Sequence, residues 1–376
     1  MSALLSQPGP WTGPALAACL LALLTALATV LTQRWHGFLS HDSRAGIQKF
    51  HDAPTPRVGG IAIVLGLLSG YAAASDAQQA MLGPLLLCGL TAFVAGLLED
   101  CTKRISVRAR LLGTMTCGVL AWVATGQTLT SIDVPLLDDM LSFTPLAVLF
   151  TAFAVSGVAN AVNMIDGFNG LAAGTAIIIL AGMAGLASQA GDSEIACTCQ
   201  ILIGAVMGFG LVNWPLGKIF LGDGGAYFIG FALAWIAVLI KVRNPGISAW
   251  APMLLCAYPV LEVLFSMKRR VMLKLSPCDP DRLHLHSLVR QRLLDRLLPE
   301  ASDVARNSVT GACMWIVASV PVLAALQWSR QTWLLAGSFA VCACLYYCAY
   351  SSLSRGCWQL KSNILPAGST ASARPF

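Results

Sequence analysis

Charge is what this sequence lacks. Lys, Arg, Asp and Glu make up only 11% of its 376 residues, about half the share found in a soluble domain. Mean hydropathy is +0.71. These values exclude an ordinary soluble fold and leave an all-α polytopic membrane protein as the expected class. Paired C-x2-C zinc spacing is also missing. The 13 Cys include the C-x-C pairs Cys197/Cys199 and Cys342/Cys344, mostly within apolar runs, where cysteine acts as small apolar filler. No basic region precedes the first apolar run, which argues against a cleavable signal.

What the chain does have is apolar runs long enough to cross a bilayer. Eleven spans are expected, at 12–33, 58–75, 79–98, 110–126, 143–161, 169–189, 195–214, 224–241, 249–267, 308–328 and 332–352. Loops after odd-numbered spans hold Arg34, Arg44, Lys49 and Arg57, then Lys103, Arg104, Arg108 and Arg110, then Lys218, then nine basic residues from Lys268 to Arg306. The tail adds Arg355, Lys361 and Arg374, while the other side keeps only Lys241, Arg243 and Arg330. That asymmetry predicts a periplasmic N-terminus and a cytoplasmic C-terminus. It also accounts for the net charge of +6 without nucleic-acid binding. The expected layout is one transmembrane catalytic unit, residues 1–352, with a cytoplasmic tail at 353–376. Cytoplasmic loops 34–57, 99–110, 160–169, 215–223 and 268–307 form its site.

The acids sort by side. Glu99 and Asp100 close the third span, Asp166 lies in the turn of NAVNMIDGFNG, and Asp223 opens the eighth in FLGDGG. All fall on the predicted cytoplasmic face, at helix ends next to or near Gly. Hard oxygen donors of this kind, with room for water and phosphate, suit Mg²⁺. Any single acid there can equally be a helix cap; four from three separate loops are harder to explain that way. Asn160, Asn163 and Asn169 set further hydrogen-bonding groups at the same mouth of the bundle. Arg57, in PTPRVGG, and the 103–110 cluster, Lys103 among them, can grip phosphate, or can hold lipid headgroups and topology. In PDRLHLHSLV, His284 and His286 read as phosphate ligands or proton carriers, or as ordinary loop structure. Glu262, isolated in PVLEVLFSM, either acts within the membrane or pairs with Arg269 or Arg270 to orient the long loop.

Taken together, PTPRVGG, LLEDCTKRISVRARLL, NAVNMIDGFNGLAAG, KIFLGDGGAYFIGF and PDRLHLHSLV resemble the polyprenyl-phosphate N-acetylhexosamine-1-phosphate transferases, glycosyltransferase family 4, over about residues 34–296. The resemblance implies transfer of a sugar 1-phosphate from a UDP-N-acetylhexosamine to undecaprenyl phosphate at the bacterial inner membrane, with UMP released. It implies Mg²⁺, or Mn²⁺ in its place, on Asp223 and Asp100, and catalytic roles for Glu99, Asp100, Asp166 and His284. Arg57, Lys103, Asn160, Asn163, Asn169, Arg282 and His286 would contact substrate, and a homodimer is compatible with the family. Three positions depart from the family pattern: Glu99 replaces Asp, Asn169 replaces the second acid of D-G-x-D-G, and Ser287 replaces a third His. The histidine segment is not the P-I-H-H-H-F of enzymes making the muramoyl-pentapeptide lipid, which favours O-antigen or another surface glycan, with GlcNAc as the first-choice sugar. The peptidoglycan enzyme is the alternative within the family, and a secondary transporter of an anionic solute is the alternative outside it.

Overall fold

One helix organises the rest. In α9 (Gly222–Arg243) almost every residue is buried, and Phe228, Phe231 and Trp235 are among the largest fully enclosed side chains. A helix apolar on all sides belongs inside a bundle, and here it is ringed by its neighbours. The computed structural model describes residues 13–40, 54–274 and 283–354. Around α9 pack α2 (Gly60–Ala72), α3 (Asp76–Thr102), α4 (Val107–Thr125), α6 (Thr144–Ile165) and α7 (Leu171–Ala190). Helix α1 (Gly13–Ser40) lies against α2 and α8 (Ser193–Asn213), and α14 (Asp303–Gln327) packs against α7. The remaining elements are the short α5 (Pro135–Leu141), α10 (Trp250–Leu255), α11 (Ala257–Met272), α12 (Leu285–Leu288), a π-helical turn Val289–Leu294, α13 (Asp295–Leu297) and α15 (Thr332–Ser354).

Nine of the described helices are long and apolar enough to cross a membrane. Two expected spans fall short. The run 58–75 yields only 13 helical residues, because the helix begins at Gly60 and Ser75 already caps α3 by a capping box with Gln78. The run 249–267 is broken at Cys256 into α10 and α11. Pro259 has no N–H to offer the Leu255 carbonyl, and the ladder fails there. No disulfide joins the cysteines of the described residues.

Glycine sets how closely the helices meet. A Cβ on Gly60 would lie 2.5 Å from the Gly225 backbone, and one on Gly96 would lie 2.4 Å from the Gly224 nitrogen. Backbones thus touch without intervening side chains, the usual way membrane helices gain packing. Both contacts press α2 and α3 onto the first turn of α9. At the opposite end of the bundle, Lys241 donates to Asp133, and Arg243 pairs with Asp192 and Glu194.

Candidate functional site

The segment 54–60 is laid along the approach to α9 by backbone bonds: Phe220 N–H to the Pro56 carbonyl (2.8 Å), Gly59 N–H to Phe220 (2.9 Å) and Gly60 N–H to Leu221 (2.9 Å). Gly222 then turns with φ +77°, where a Cβ would strike the Arg57 carbonyl at 2.4 Å. Arg57 and Asp223, 166 positions apart in sequence, are thereby placed side by side.

Asp223 is 2% exposed, and each carboxylate oxygen meets a guanidinium at 2.5 Å: Oδ1 with Arg57 Nη2, Oδ2 with Arg110 Nη1. Asp100, at the end of α3, accepts the backbone N–H groups of Asp223 and Gly224, both at 3.0 Å, and lies 3.3 Å from Arg57 Nε. Its carboxylate caps α9, whose own cap position, Leu221, supplies no side-chain bond. Asp166 ends α6 and accepts the Gly222 N–H, with Arg57 and Asp223 close by. One edge of the residue stays accessible, but the surrounding protein pushes its carboxyl up to about 7; Arg57 opposes that rise and Asp223 adds to it. Asn163 donates to the Tyr227 hydroxyl at 3.0 Å and pins the end of α6 to α9.

The histidine turn closes against the same loop. The His286 ring meets Phe168 edge-on, with centroids 5.6 Å apart, and its Nε2 faces Gly167. Burial pushes His286 down to about 4, outweighing the nearby Glu262 carboxylate, so the ring is neutral. Thus Arg57, Asp100, Asn163, Asp166 and Asp223 converge, with His286 on the flank and His284 stacked on it at 5.2 Å. Among the described residues, however, no three His, Cys, Asp or Glu side chains form a ready-made metal cage. Asp223 faces arginines instead.

Other expected residues are placed differently. Glu99 reaches back to the Ile105 N–H at 2.7 Å and shapes the α3–α4 turn, a reach that its extra methylene serves. Lys103 ends α3 exposed, in a left-handed conformation. The Asn160 amide bonds the Ser156 carbonyl (2.8 Å) and Thr114 Oγ1 (3.3 Å), clamping α6 to α4. Asn169, 5% exposed, gives its amide to Ser308 Oγ (3.2 Å) and the Val304 carbonyl (3.5 Å), tying its turn to α14. Arg282 lies outside the described residues. Glu262 does orient the long loop, with His284 and the Leu285 N–H as its bonding partners rather than the Arg269 or Arg270 expected from sequence. Arg110, in sequence just one member of a general basic cluster, sits on the central acid. Its position at the start of a helix entering the bundle, unlike the looser Lys103 and Arg104, was the available signal.

Comparison with known proteins points to one family. The family model "Glycosyl transferase family 4" matches residues 82–241. An undecaprenyl-phosphate alpha-N-acetylglucosaminyl 1-phosphate transferase of Yersinia pestis is 30% identical over 251 residues, 64% of this chain and 67% of its own. A protein of the same name from Escherichia coli O157:H7 is 27% identical over 314 residues, 81% of this chain and 82% of that one. A probable undecaprenyl-phosphate N-acetylglucosaminyl 1-phosphate transferase of Bacillus subtilis is 28% identical over 240 residues, 64% of this chain and 66% of its length. On these matches the chain belongs to glycosyl transferase family 4.

Proposed function

We propose that the protein transfers N-acetylhexosamine 1-phosphate from a UDP-sugar to undecaprenyl phosphate, leaving a polyprenyl-diphospho-sugar in the bilayer and releasing UMP. One observation carries the reading. Asp100, Arg110, Asp166 and Asp223 stand at helix ends, joined by Arg57, so the charged centre lies at the end of an apolar bundle, where a lipid phosphate can arrive from the side. The names of the family relatives support undecaprenyl phosphate as the acceptor and an N-acetylglucosaminyl 1-phosphate as the group transferred.

The chemical problem is to bring two anionic phosphates together. Arg57 and Arg110 are geometrically suited to grip them. His284 and His286 flank the donor diphosphate. The acceptor phosphate attacks the β-phosphorus, the bond to UMP breaks, and the sugar C1–O bond is untouched, so anomeric configuration is retained. Asp100 and Glu99 act on the acceptor side: Asp100 holds Asp223 in place and Glu99 shapes the turn between Lys103 and the helix that carries Arg110. Asn160, Asn163 and Asn169 hold the helix ends that shape the nucleotide and sugar pocket. Asp100, Asp166 and Asp223 bring to one place hard oxygens of the kind a divalent cation takes, with Arg57 and Arg110 competing for Asp223. Asp223 with Asp100 would hold the cation, substrate oxygens and water completing the shell, as Mg²⁺ or Mn²⁺ prefers. When bound, it screens the phosphates and polarises the reacting phosphoryl group.

The basic loops support a reading in which this end of the bundle faces the cytoplasm of a bacterium, with eleven membrane passes, a periplasmic N-terminus and residues 353–376 as a cytoplasmic tail. Donor specificity for GlcNAc, entry into O-antigen or another surface glycan, and a homodimer complete the proposal. The transporter alternative would need a free acid in the membrane, and Glu262 is bonded to the histidine turn. The test is incubation of membranes containing the protein with undecaprenyl phosphate and a panel of labelled UDP-sugars. Label should enter the organic phase in the UDP-GlcNAc lane, with UMP formed in equal amount, and an Asp223→Ala protein should transfer nothing. Absence of labelled lipid in every lane would sink the reading.

A further inference from the structure

Glu262 is fully buried in α11 and takes no part in the chemistry above. A carboxylate in such surroundings is costly unless donors surround it. The hydrogen bonds it makes come from the histidine turn and reach Oε1. Oε1 accepts the Leu285 N–H at 3.1 Å and lies 3.1 Å from His284 Nδ1, while Oε2 is 3.8 Å from His286 Nδ1. One helical turn earlier, the Tyr258 hydroxyl lies 3.2 Å from the same His286 nitrogen. Further along the helix in the other direction, Arg269 Nη1 donates to the Leu283 carbonyl at 2.7 Å. A single stripe of α11 therefore grips residues 283–286 from three points.

The consequence is chemical. An ionised carboxylate can only accept hydrogen bonds, so the His284 nitrogen facing Glu262 must be the one bearing hydrogen. That leaves Nε2 of His284 as the nitrogen without hydrogen, able to accept. The His286 ring lies nearly parallel to it, at 12°, and turns its own Nε2 toward Gly167, the neighbour of Asp166. Orienting partners of this kind set both ring angle and tautomer in histidines that bind ligands directly.

We propose that Glu262 is a positioning residue: it selects the tautomer of His284, seats the turn through the Leu285 N–H, and so presents the Nε2 edges of His284 and His286 to the donor diphosphate. The role rests on the transferase reading above. It differs from a mere fold anchor because Glu262 would act through the imidazoles and lose its effect without them.

The test is a double-mutant cycle on full-length protein in membranes, with kcat and KM measured for the UDP-sugar and thermal unfolding measured in detergent. Glu262→Gln keeps the shape and one acceptor oxygen, but its amide can also offer an N–H, so the tautomer is no longer imposed. Outer partners of this type are worth about 10- to 100-fold; a fall of that size in kcat/KM is expected for E262Q, with its unfolding temperature close to the parent's. The E262Q/H284A protein should be no worse than H284A alone. Three outcomes overturn the role: E262Q within about threefold of the parent, H284A as active as the parent, or a double variant whose loss is the product of the single losses. Should E262Q fail to fold, Glu262→Asp takes its place in the cycle with His284→Ala, its shorter side chain withdrawing the carboxylate from His284 Nδ1, and the same three outcomes overturn the role. A parent that transfers from no UDP-sugar defeats the transferase reading and this role with it; a transferring parent with an unaffected E262Q defeats only the role.

Discussion

Replacing Gly96 by alanine should damage the centre from a residue that carries no chemistry. The added Cβ would sit 2.4 Å from the Gly224 nitrogen, 2.5 Å from the Asp223 carbonyl carbon and 2.6 Å from its oxygen, whereas ordinary contact begins at 3.4 Å. All three atoms are backbone, so no rotamer change relieves the clash, and α3 and α9 must part by about 1 Å. The Asp223 and Gly224 N–H groups that bond Asp100, both at 3.0 Å, belong to the same turn. A retreat of that size takes them to the edge of hydrogen-bond range or beyond. Weakening bonds to a charged acceptor, added to overpacking, is worth about 3 kcal/mol, less than a simple sum because one displacement causes both. Misplacing a reacting group by about 1 Å costs about 100-fold in rate. The assay is labelled-lipid formation from UDP-sugar, run beside thermal unfolding. Gly157→Ala, with open space around the new methyl, serves as the control. If G96A keeps transfer within about threefold of G157A and unfolds at the same temperature, the account of a backbone-jammed centre is wrong.

Arg110→Gln should lower kcat/KM for the UDP-sugar by about 100-fold, since it strips a 2.5 Å partner from Asp223 along with a phosphate grip; a loss below about threefold would remove Arg110 from the site. EDTA should abolish transfer and added Mg²⁺ restore it, and full activity in excess chelator would exclude the divalent cation. Asp166 should leave a mark on stability. Its carboxyl, raised from 3.8 to about 7 in the folded chain, holds a proton that the unfolded chain has already released between about pH 4 and 7. Stability therefore falls as pH rises through that window. Measured in EDTA, the parent's unfolding temperature should drop more between pH 5 and pH 7 than that of Asp166→Asn; parallel curves would refute the assignment.

Helices of about 20 apolar residues announce themselves in sequence, and α3, α6 to α9, α14 and α15 appear close to where hydropathy puts them. Helix α2 and the break at Cys256 were not legible, because an apolar run does not reveal where the backbone leaves the helix. The acids of the site could be named from their position at helix ends. Their partners could not: nothing local in sequence says that Arg57 and Arg110 share Asp223, or that Asp100 caps a helix more than 120 residues downstream. Asn160 and Asn169 carry packing bonds that sequence did not announce, to Thr114 on α4 and to Ser308 on α14. Glu262 stood out as an acid in hydrocarbon, but its histidine partners became visible only once α11 and the 283–286 turn lay together.

That α9 borrows its cap from Asp100 has a bearing on biogenesis. Spans that had threaded the bilayer but not yet docked would leave the start of α9 with open N–H groups and Asp100 with no backbone donors. Docking satisfies both at once, and the same contact brings Asp223 to its working place. Maturation of the catalyst and completion of the tertiary structure are then a single event, and a copy that fails at one fails at the other.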